Sequence, residues 1–145
     1  AESPEADPRV SQLGPDTWLE LPDTSDLHQL LVKRKAPTKA LLLDQKLFAG
    51  VGNWIADEVL YHSGIAPSRT GDSLTVQEVS KLRDALKMVL DLAVEVGADA
   101  SQYPKSWLFH YRWGGKGGDE EIEGQPIIRE TIGSRTTAWV PSKQK

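Results

Sequence analysis

Apolar residues recur at three- and four-residue spacing through much of the first hundred positions, which predicts a bundle of helices. The clearest case is a long helix from Thr75, its expected cap, to about Val96, closed by Gly97. Three shorter helices are predicted, from Ser25 to about Arg34, from Lys39 to about Phe48 with Thr38 as its cap, and from Trp54 to about His62, where Gly64 ends the helix.

An abrupt glycine turn separates the second of these helices from the third. Gly50, Val51 and Gly52 interrupt the apolar pattern, and Asn53 opens the next helix. The start of a helix presents free N–H groups and the positive end of the helix dipole, and glycine lets backbone come close to an anion. The pattern therefore predicts a phosphate site with Lys39 as a charged arm. The alternative is that the glycines only turn the chain and Asn53 only caps a helix.

The pattern changes after residue 97. Residues 107–113 are aromatic and strand-like, residues 114–118 are expected to form a loose glycine turn, and two strands are predicted at residues 126–130 and 136–140. A module of under ~45 residues without a disulfide or a metal should need docking against the helices to be stable. The Trp and Tyr residues can supply that packing, although they could also stack on bases.

These elements predict a mainly α fold, a helical bundle with a small C-terminal antiparallel β-hairpin module. Residues 1–24 are rich in Pro, Asp, Glu and Ser, with a turn signal at residues 13–16, and are expected to be a linker or lead-in. The expected division is a lead-in at residues 1–24, a helical domain at residues 25–100 and the β-hairpin module at residues 101–145.

The composition of the chain argues against disulfides, metal sites and membrane-spanning segments. The chain has no cysteine, which excludes disulfides and thiolate zinc sites, and its histidines (His28, His62 and His110) lie far apart, so neither a metal nor a cofactor is expected. No apolar run approaches the ~18 residues of a membrane span, and the first residues lack the features of a signal peptide.

The formal net charge is −4, which taken alone argues against a nucleic-acid partner, but the charge is unevenly distributed. Residues 27–56 hold five basic residues against one acidic residue, and residues 103–145 hold seven against five. These two basic islands can form a local positive face, although such runs are more often solvated surface.

Candidates for catalysis are few. Asp57 and Glu58 are adjacent on a predicted helix, so their carboxylates should point in different directions. Glu120, Glu121 and Glu123 fall in a glycine-rich loop and are expected to be solvated, and no Ser/His/Asp order or Walker spacing is present. The residues predict a chain that binds and positions rather than one that carries a catalytic centre.

One combination of motifs is far more selective than any of its parts. It consists of Lys39, residues 44–47 (DQKL), residues 50–61 (GVGNWIADEVLY) and residues 64–67 (GIAP). Together they closely resemble the helix–two-turn–helix domain of the formamidopyrimidine-DNA glycosylase and endonuclease VIII family. The resemblance extends from about residue 13 to the end of the chain.

The resemblance implies a role in base-excision repair. Bifunctional members of that family flip an oxidised base out of duplex DNA, cleave its glycosidic bond and then cut at the abasic site. It implies that Lys39 and Asn53 contact phosphates beside the flipped nucleotide, with the backbone of Gly50, Val51 and Gly52 forming the phosphate loop.

The C-terminal module fits this family with one departure. Most members hold a β-hairpin with four zinc-binding cysteines, and an arginine at the hairpin turn reaches the same phosphates. This chain has no cysteine, yet residues 133–141 (GSRTTAWVP) look like that arginine and the strand after it. The module therefore resembles the zincless finger of plant and fungal members, and Arg135 would be a third phosphate contact.

A second departure concerns catalysis. The family's nucleophile is an N-terminal proline followed by glutamate, within a catalytic β-sandwich domain, and nothing here matches that domain; residues 1–4 (AESP) have only a faint likeness to its start. The chain is therefore expected to be the C-terminal, DNA-binding half of a DNA glycosylase and abasic-site lyase, inactive by itself. Its expected partners are damaged double-stranded DNA and the missing catalytic domain, with no membrane.

The segment at residues 97–107 is short, whereas family members that act well on 8-oxoguanine carry a longer loop there. Formamidopyrimidines and hydantoins are therefore the expected substrates. The plant- and fungal-like features imply a nuclear protein, with an organelle as an additional location. Two other classes stay open from the residues alone, a non-catalytic helix–two-turn–helix nucleic-acid-binding module and a protein-binding helical domain.

Overall fold

The computed structural model describes residues 17–96, 100–111 and 121–145. In that part of the chain the α-helices are α1 (Thr24–Val32), α2 (Thr38–Leu43), α3 (Asn53–Ser63) and α4 (Val76–Val96). Short 3-10 helices span Gly71–Ser73, Ala100–Gln102 and Leu108–His110, and the strands are β1 (Glu121–Ile122), β2 (Gln125–Pro126), β3 (Ile128–Ile132) and β4 (Arg135–Trp139).

The start of α1 differs from the sequence prediction. The Asp23 carboxylate accepts the Asp26 N–H at 2.9 Å, so Asp23 is the N-cap and Ser25 lies inside the helix. An ionised carboxylate at this position also meets the positive end of the helix dipole. The helix ends at Val32, two residues before the predicted end.

Helix α2 is only six residues long, and its predicted extension to Phe48 is wrong. At Asp44 the backbone becomes extended, with φ −73° and ψ 106°, and its side chain accepts the Lys46 N–H at 2.9 Å. An aspartate that bonds backbone two residues ahead favours a turn over a continued helix. The chain therefore leaves α2 in a turn before it reaches the glycines.

The two helices that build most of the core follow the prediction closely. Gly64 ends α3 in the left-handed conformation, with φ 73°. At the start of α4 the Thr75 hydroxyl accepts the Glu78 N–H at 3.1 Å, while the Glu78 carboxylate accepts the Thr75 N–H at 3.0 Å. This reciprocal pair is a capping box.

Hydrogen bonds from Arg69 also hold the pKa of the Glu78 carboxyl below its usual range.

The C-terminal module consists of two antiparallel hairpins, β1–β2 and β3–β4. The two predicted strands correspond to β3 and β4, whereas the β1–β2 hairpin was not predicted. Gly133 and Ser134 form the turn between β3 and β4 with φ of 62° and 64°. Two consecutive positive φ angles are typical of the type I′ turn, whose twist matches that of the strands it joins.

The aromatic stretch at residues 107–113 was expected to be a strand, and its described part is not one. Leu108–His110 forms a single 3-10 turn, with the Tyr111 N–H donating to the Leu108 carbonyl at 2.8 Å. Alternation of residue types cannot distinguish a short strand from an irregular segment whose side chains are partly buried. The predicted turns at residues 13–16 and 114–118, the helix end at Gly97 and the position of Glu120 lie outside the described residues.

Two apolar clusters hold these elements together. The larger joins the inner faces of α1 to α4, including Leu31, Leu60 and Leu86. The smaller lies under the β module and joins Tyr61 of α3 to Ile122 and Val140. The module therefore docks on α3, as expected for a small β unit that cannot bury a core of its own. Among the described residues, no helix is long and apolar enough to cross a membrane.

Candidate nucleic-acid interface

Strand β4 lies beside α3, and hydrogen bonds join the two elements at every fourth residue of the helix and every second residue of the strand. The Asn53 Nδ2 donates to the Thr136 carbonyl at 3.1 Å, and one helical turn later the Asp57 carboxylate accepts the Ala138 N–H at 3.2 Å. Four helical residues rise about 6 Å and two strand residues about 6.6 Å, so the two repeats stay in register over this length. The start of α3 and the start of β4 therefore lie at the same end of the contact.

Arg135 lies at that end, as the first residue of β4 and directly before Thr136. It is exposed, whereas Thr137 and Ala138 after it are buried. The turn before it rests on α2, since a Cβ on Gly133 would come within 2.9 Å of the Ala40 Cβ. The fold thus brings the guanidinium-bearing residue of the hairpin beside Asn53, which precedes it by 82 positions.

Asn53 opens α3 as its first helical residue and Gly52 holds the cap position, so the alternative in which Asn53 only caps the helix is wrong. Its side chain joins the hairpin instead, through the bond to Thr136. An amide nitrogen carries two hydrogens, so Asn53 can bond the Thr136 carbonyl and still donate to a phosphate oxygen.

The side chain of Gln45, for which no role was predicted, closes the glycine turn. The Gln45 Oε1 accepts the Gly50 N–H at 3.0 Å, and its Nε2 donates to the Val51 carbonyl at 3.0 Å. The Val51 N–H donates to the Phe48 carbonyl at 3.2 Å. The N–H groups of Gly50 and Val51 therefore already have acceptors inside the protein, and a phosphate loop formed by them would require these bonds to open.

The backbone N–H groups that can bind an anion are those of the first turn of α3. Its first ladder bond runs from the Ala56 N–H to the Gly52 carbonyl at 3.0 Å. The N–H groups before Ala56 have no intrahelical acceptor, as at the start of any helix. Gly52 is exposed, and a Cβ built on it would meet no atom within 4 Å. This helix start is therefore open to a ligand from solvent.

Lys39 was expected to be a charged arm that contacts phosphate, and the structure buries its side chain. Its side chain is fully buried, with Nζ 2.5 Å from the Asp57 Oδ1 and 2.8 Å from the Thr137 hydroxyl. The ammonium lies beneath the hairpin because Asp57 and Thr137 supply the acceptors that a buried cation requires. Lys39 thus connects α2, α3 and β4, and a phosphate contact by this residue would require it to leave Asp57.

The adjacent acidic residues of α3 point in different directions, as predicted. Asp57 faces Lys39 and β4, whereas Glu58 accepts the N–H groups of Leu108 at 3.0 Å and Phe109 at 2.6 Å. Glu58 also lies 2.7 Å from the His62 Nε2. Each carboxylate thus ties a later segment of the chain to α3. This buried network could have been predicted from the sequence, because Lys39, Asp57 and Glu58 are charged residues that lie within mostly apolar segments.

The electrostatics of the helix start favour an anion. Asp57 is one turn into α3, but Lys39 neutralises it within the interior. Arg135 and the positive end of the helix dipole remain at the surface. No group of three His, Asp or Glu side chains that could hold a metal occurs within residues 17–96, 100–111 and 121–145. The arrangement is suited to binding phosphate groups.

The buried pair leads to a stability prediction. Replacing Lys39 by Met leaves the Asp57 charge buried without its cation, and this should lower the free energy of unfolding by about 3–5 kcal/mol. The double variant Lys39→Met/Asp57→Asn should recover much of that loss, because a neutral amide can still accept the Ala138 N–H. Urea denaturation measures both effects.

The exposed pair of Lys87 and Asp91, 3.4 Å apart, provides the matched control. Lys87→Met should cost less than about 1 kcal/mol, because exposed ion pairs contribute little. A Lys39→Met variant no less stable than Lys87→Met would contradict the assigned role of the buried pair.

Known proteins match this chain over most of its length. The family model of the formamidopyrimidine-DNA glycosylase H2TH domain matches residues 13–105. A formamidopyrimidine-DNA glycosylase from Arabidopsis thaliana is 46% identical over 136 residues, which is 94% of this chain and 35% of the relative.

Solved structures show the same fold. The MutM (Fpg) protein from Thermus thermophilus superimposes with a TM-score of 0.75 at 34% identity, covering 94% of this chain and 55% of that one. The Lactococcus lactis Fpg in complex with abasic-site DNA gives a TM-score of 0.73 at 26% identity, covering 92% of this chain and 52% of that one.

The chain thus spans between about a third and somewhat over half the length of these relatives. The family model covers the helical bundle and the glycine turn before α3, and both solved structures superimpose on more than nine-tenths of the chain. On this evidence the chain belongs to the formamidopyrimidine-DNA glycosylase family and carries its H2TH domain.

Proposed function

We propose that this chain is the DNA-binding part of a bifunctional DNA glycosylase and abasic-site lyase of base-excision repair. Its substrates are duplexes that carry oxidised purines, namely formamidopyrimidines and hydantoins. The first turn of α3 and Arg135 hold phosphates next to the nucleotide that has been flipped out of the stack. Keeping such a nucleotide extruded requires a grip on the backbone beside it.

The observation that carries this proposal is the common position of two phosphate-binding groups. Asn53 begins a helix whose start is open to solvent, and its side chain bonds the residue directly after Arg135. A guanidinium makes charge-assisted bonds to phosphate oxygens, and helix N–H groups complement them. Two such groups at one end of the contact between α3 and β4 suit neighbouring phosphates of one bent DNA strand.

The comparisons support the same ligand. The Lactococcus lactis relative with this fold was solved with DNA that contains an abasic site. Formamidopyrimidine is named in the Arabidopsis relative, and the hydantoins are inferred from the resemblance described above. A nuclear or organellar site of action is proposed from the similarity to this plant relative.

Lys39 has a different part in this proposal from the one expected of it. Its ammonium is held by Asp57 and Thr137, so it supports the hairpin from below and makes no phosphate contact. Of the three residues expected to form the phosphate loop, the proposal retains only Gly52 as a phosphate contact, since the N–H groups of Gly50 and Val51 donate within the protein. The proposed contacts are therefore Asn53, the first N–H groups of α3 and Arg135.

Replacing Arg135 by Ala should weaken binding to a duplex with an abasic-site analogue by roughly fivefold to tenfold at low salt, because one phosphate loses its cation. The slope of log affinity against log salt concentration should become shallower by about one. Fluorescence anisotropy at several salt concentrations measures both quantities.

Lys81→Ala is the matched control. Lys81 is exposed on α4 and lines a surface cavity with His62, near the opposite end of α3 and on the order of 14 Å along the helix from Asn53. This variant should bind as the unchanged chain does. Equal losses for Arg135→Ala on intact and abasic duplex would instead favour a non-catalytic nucleic-acid-binding module. An unchanged affinity on both would contradict the proposal.

The catalytic step is assigned to residues outside these 145. Borohydride reduction traps the imine that a lyase nucleophile forms with an abasic site, and the family's nucleophile is an N-terminal proline that the chain does not match. Incubation of this chain with abasic duplex and borohydride should give no covalent adduct, whereas a protein that also carries the proline-bearing domain should give one. An adduct with this chain alone would contradict the assignment.

A further inference from the structure

The far end of the hairpin is held by a buried amide, that of Gln144. Its side chain is 2% exposed, its Oε1 accepts the Val140 N–H at 2.7 Å, and its Nε2 donates to the Ile65 carbonyl at 3.0 Å. Val140 follows β4 and Ile65 follows α3, so one side chain joins the ends of the two elements that carry the interface. An amide can do this without burying a charge, since it offers a donor and an acceptor together.

This bond completes a row of contacts along the helix. At the end near Arg135 the hairpin is held by the bond from Asn53 to Thr136, and in the middle by Asp57 on Ala138. Gln144 closes the other end. Without Gln144, the hairpin bonds to α3 at Thr136 and Ala138 lie only two residues apart, so the added contact beyond β4 lengthens the fixed segment and narrows the range of tilt.

A neighbouring contact strengthens the same end. The Lys145 N–H donates to the Gly64 carbonyl at 2.9 Å, and the Lys145 carbonyl accepts from the Arg69 guanidinium at 2.8 Å. Residues 143–145 thus lie against the C-terminal end of α3 through backbone as well as side chain. Gln144 is the buried member of this segment, so its loss would leave the Val140 N–H and the Ile65 carbonyl buried without these partners.

We propose that Gln144 is a positioning residue for DNA binding: it fixes the tilt of β4 on α3 and thereby holds Arg135 beside the first turn of α3. This inference rests on the proposed function. Gln144 itself touches no DNA, and its effect on affinity passes through Arg135.

A double-mutant cycle tests this dependence. Gln144→Met keeps the side-chain volume and removes both hydrogen bonds. It should weaken binding to abasic duplex by roughly threefold to tenfold and make the salt slope shallower, because Arg135 loses its fixed position. In the background of Arg135→Ala, the same change should alter affinity by less than about twofold, because coupled residues are not additive.

Rescue by pH provides a second test. A protonated glutamate at position 144 can donate to the Ile65 carbonyl and accept the Val140 N–H, whereas the ionised form cannot donate. Burial raises the pKa of a carboxyl group, so lowering the pH from 8 to 5 should protonate it. The affinity ratio of the unchanged chain to Gln144→Glu should therefore fall towards one at pH 5.

Gln77, exposed in the first turn of α4, supplies matched controls. Gln77→Met and Gln77→Glu should bind as the unchanged chain does, without a pH-dependent rescue. Circular dichroism should show that Gln144→Met retains its helical signal, and loss of that signal would make Gln144 a determinant of the whole fold and overturn the proposal.

Two outcomes of the cycle separate this inference from the proposed function. Equal effects of Gln144→Met with and without Arg135 would overturn the positioning role alone. No effect of Arg135→Ala on DNA binding would overturn the proposed function and, with it, this inference.

Discussion

The interface depends on a match between two repeats. A helix returns to the same face every four residues and a strand every two, and these steps advance along the two axes by nearly equal lengths. Here α3 and β4 use that match twice in hydrogen bonds, at Asn53 and at Asp57. It extends to a third step, where Tyr61 and Val140 belong to the same apolar cluster. Because the four-residue step of α3 and the two-residue step of β4 have nearly the same length, the hairpin turn has a fixed place at the start of α3.

Buried charge makes this contact specific. A purely apolar contact between a helix and a strand could slide by one repeat at little cost, whereas Lys39 and Asp57 find their partners in one register only. Burial of an ion pair adds little net stability, but separating its members is expensive. Glu58 has a comparable role towards the segment at residues 108–109. Buried polar groups thus set the docking geometry of a module that has no cysteine for a disulfide or a thiolate zinc site.

The sequence predicts more of the elements than of their contacts. The long helix α4, its Thr75 cap and the left-handed end of α3 at Gly64 follow from local rules, and the structure confirms them. The extension of α2 to Phe48 was wrong because Asp44 makes a local turn bond that competes with the helix. The strand at residues 107–113 was wrong in its described part because periodicity over so short a segment does not determine the backbone.

For the site, too, the sequence predicts the residues better than their contacts. The pairing of Asn53 with Arg135 followed from the family resemblance, and the structure brings these residues to one surface. Lys39 was expected beside them because a lysine before a glycine turn suggests a phosphate contact, and sequence gives no sign that Thr137, 98 positions later, would cover it. The backbone bonds of Gln45 and Gln144 were not predicted, because an amide that bonds backbone has no sequence pattern of its own.

The central claim is that the start of α3 and the hairpin turn bind DNA as one surface. A titration of the ¹⁵N-labelled chain with a short duplex that contains an abasic-site analogue tests it most directly. The account predicts that backbone amide signals of residues 52–55 and 133–136 shift together, with the same dependence on DNA concentration. Shifts confined to one of these segments, or centred on the basic residues 33–35, would contradict it.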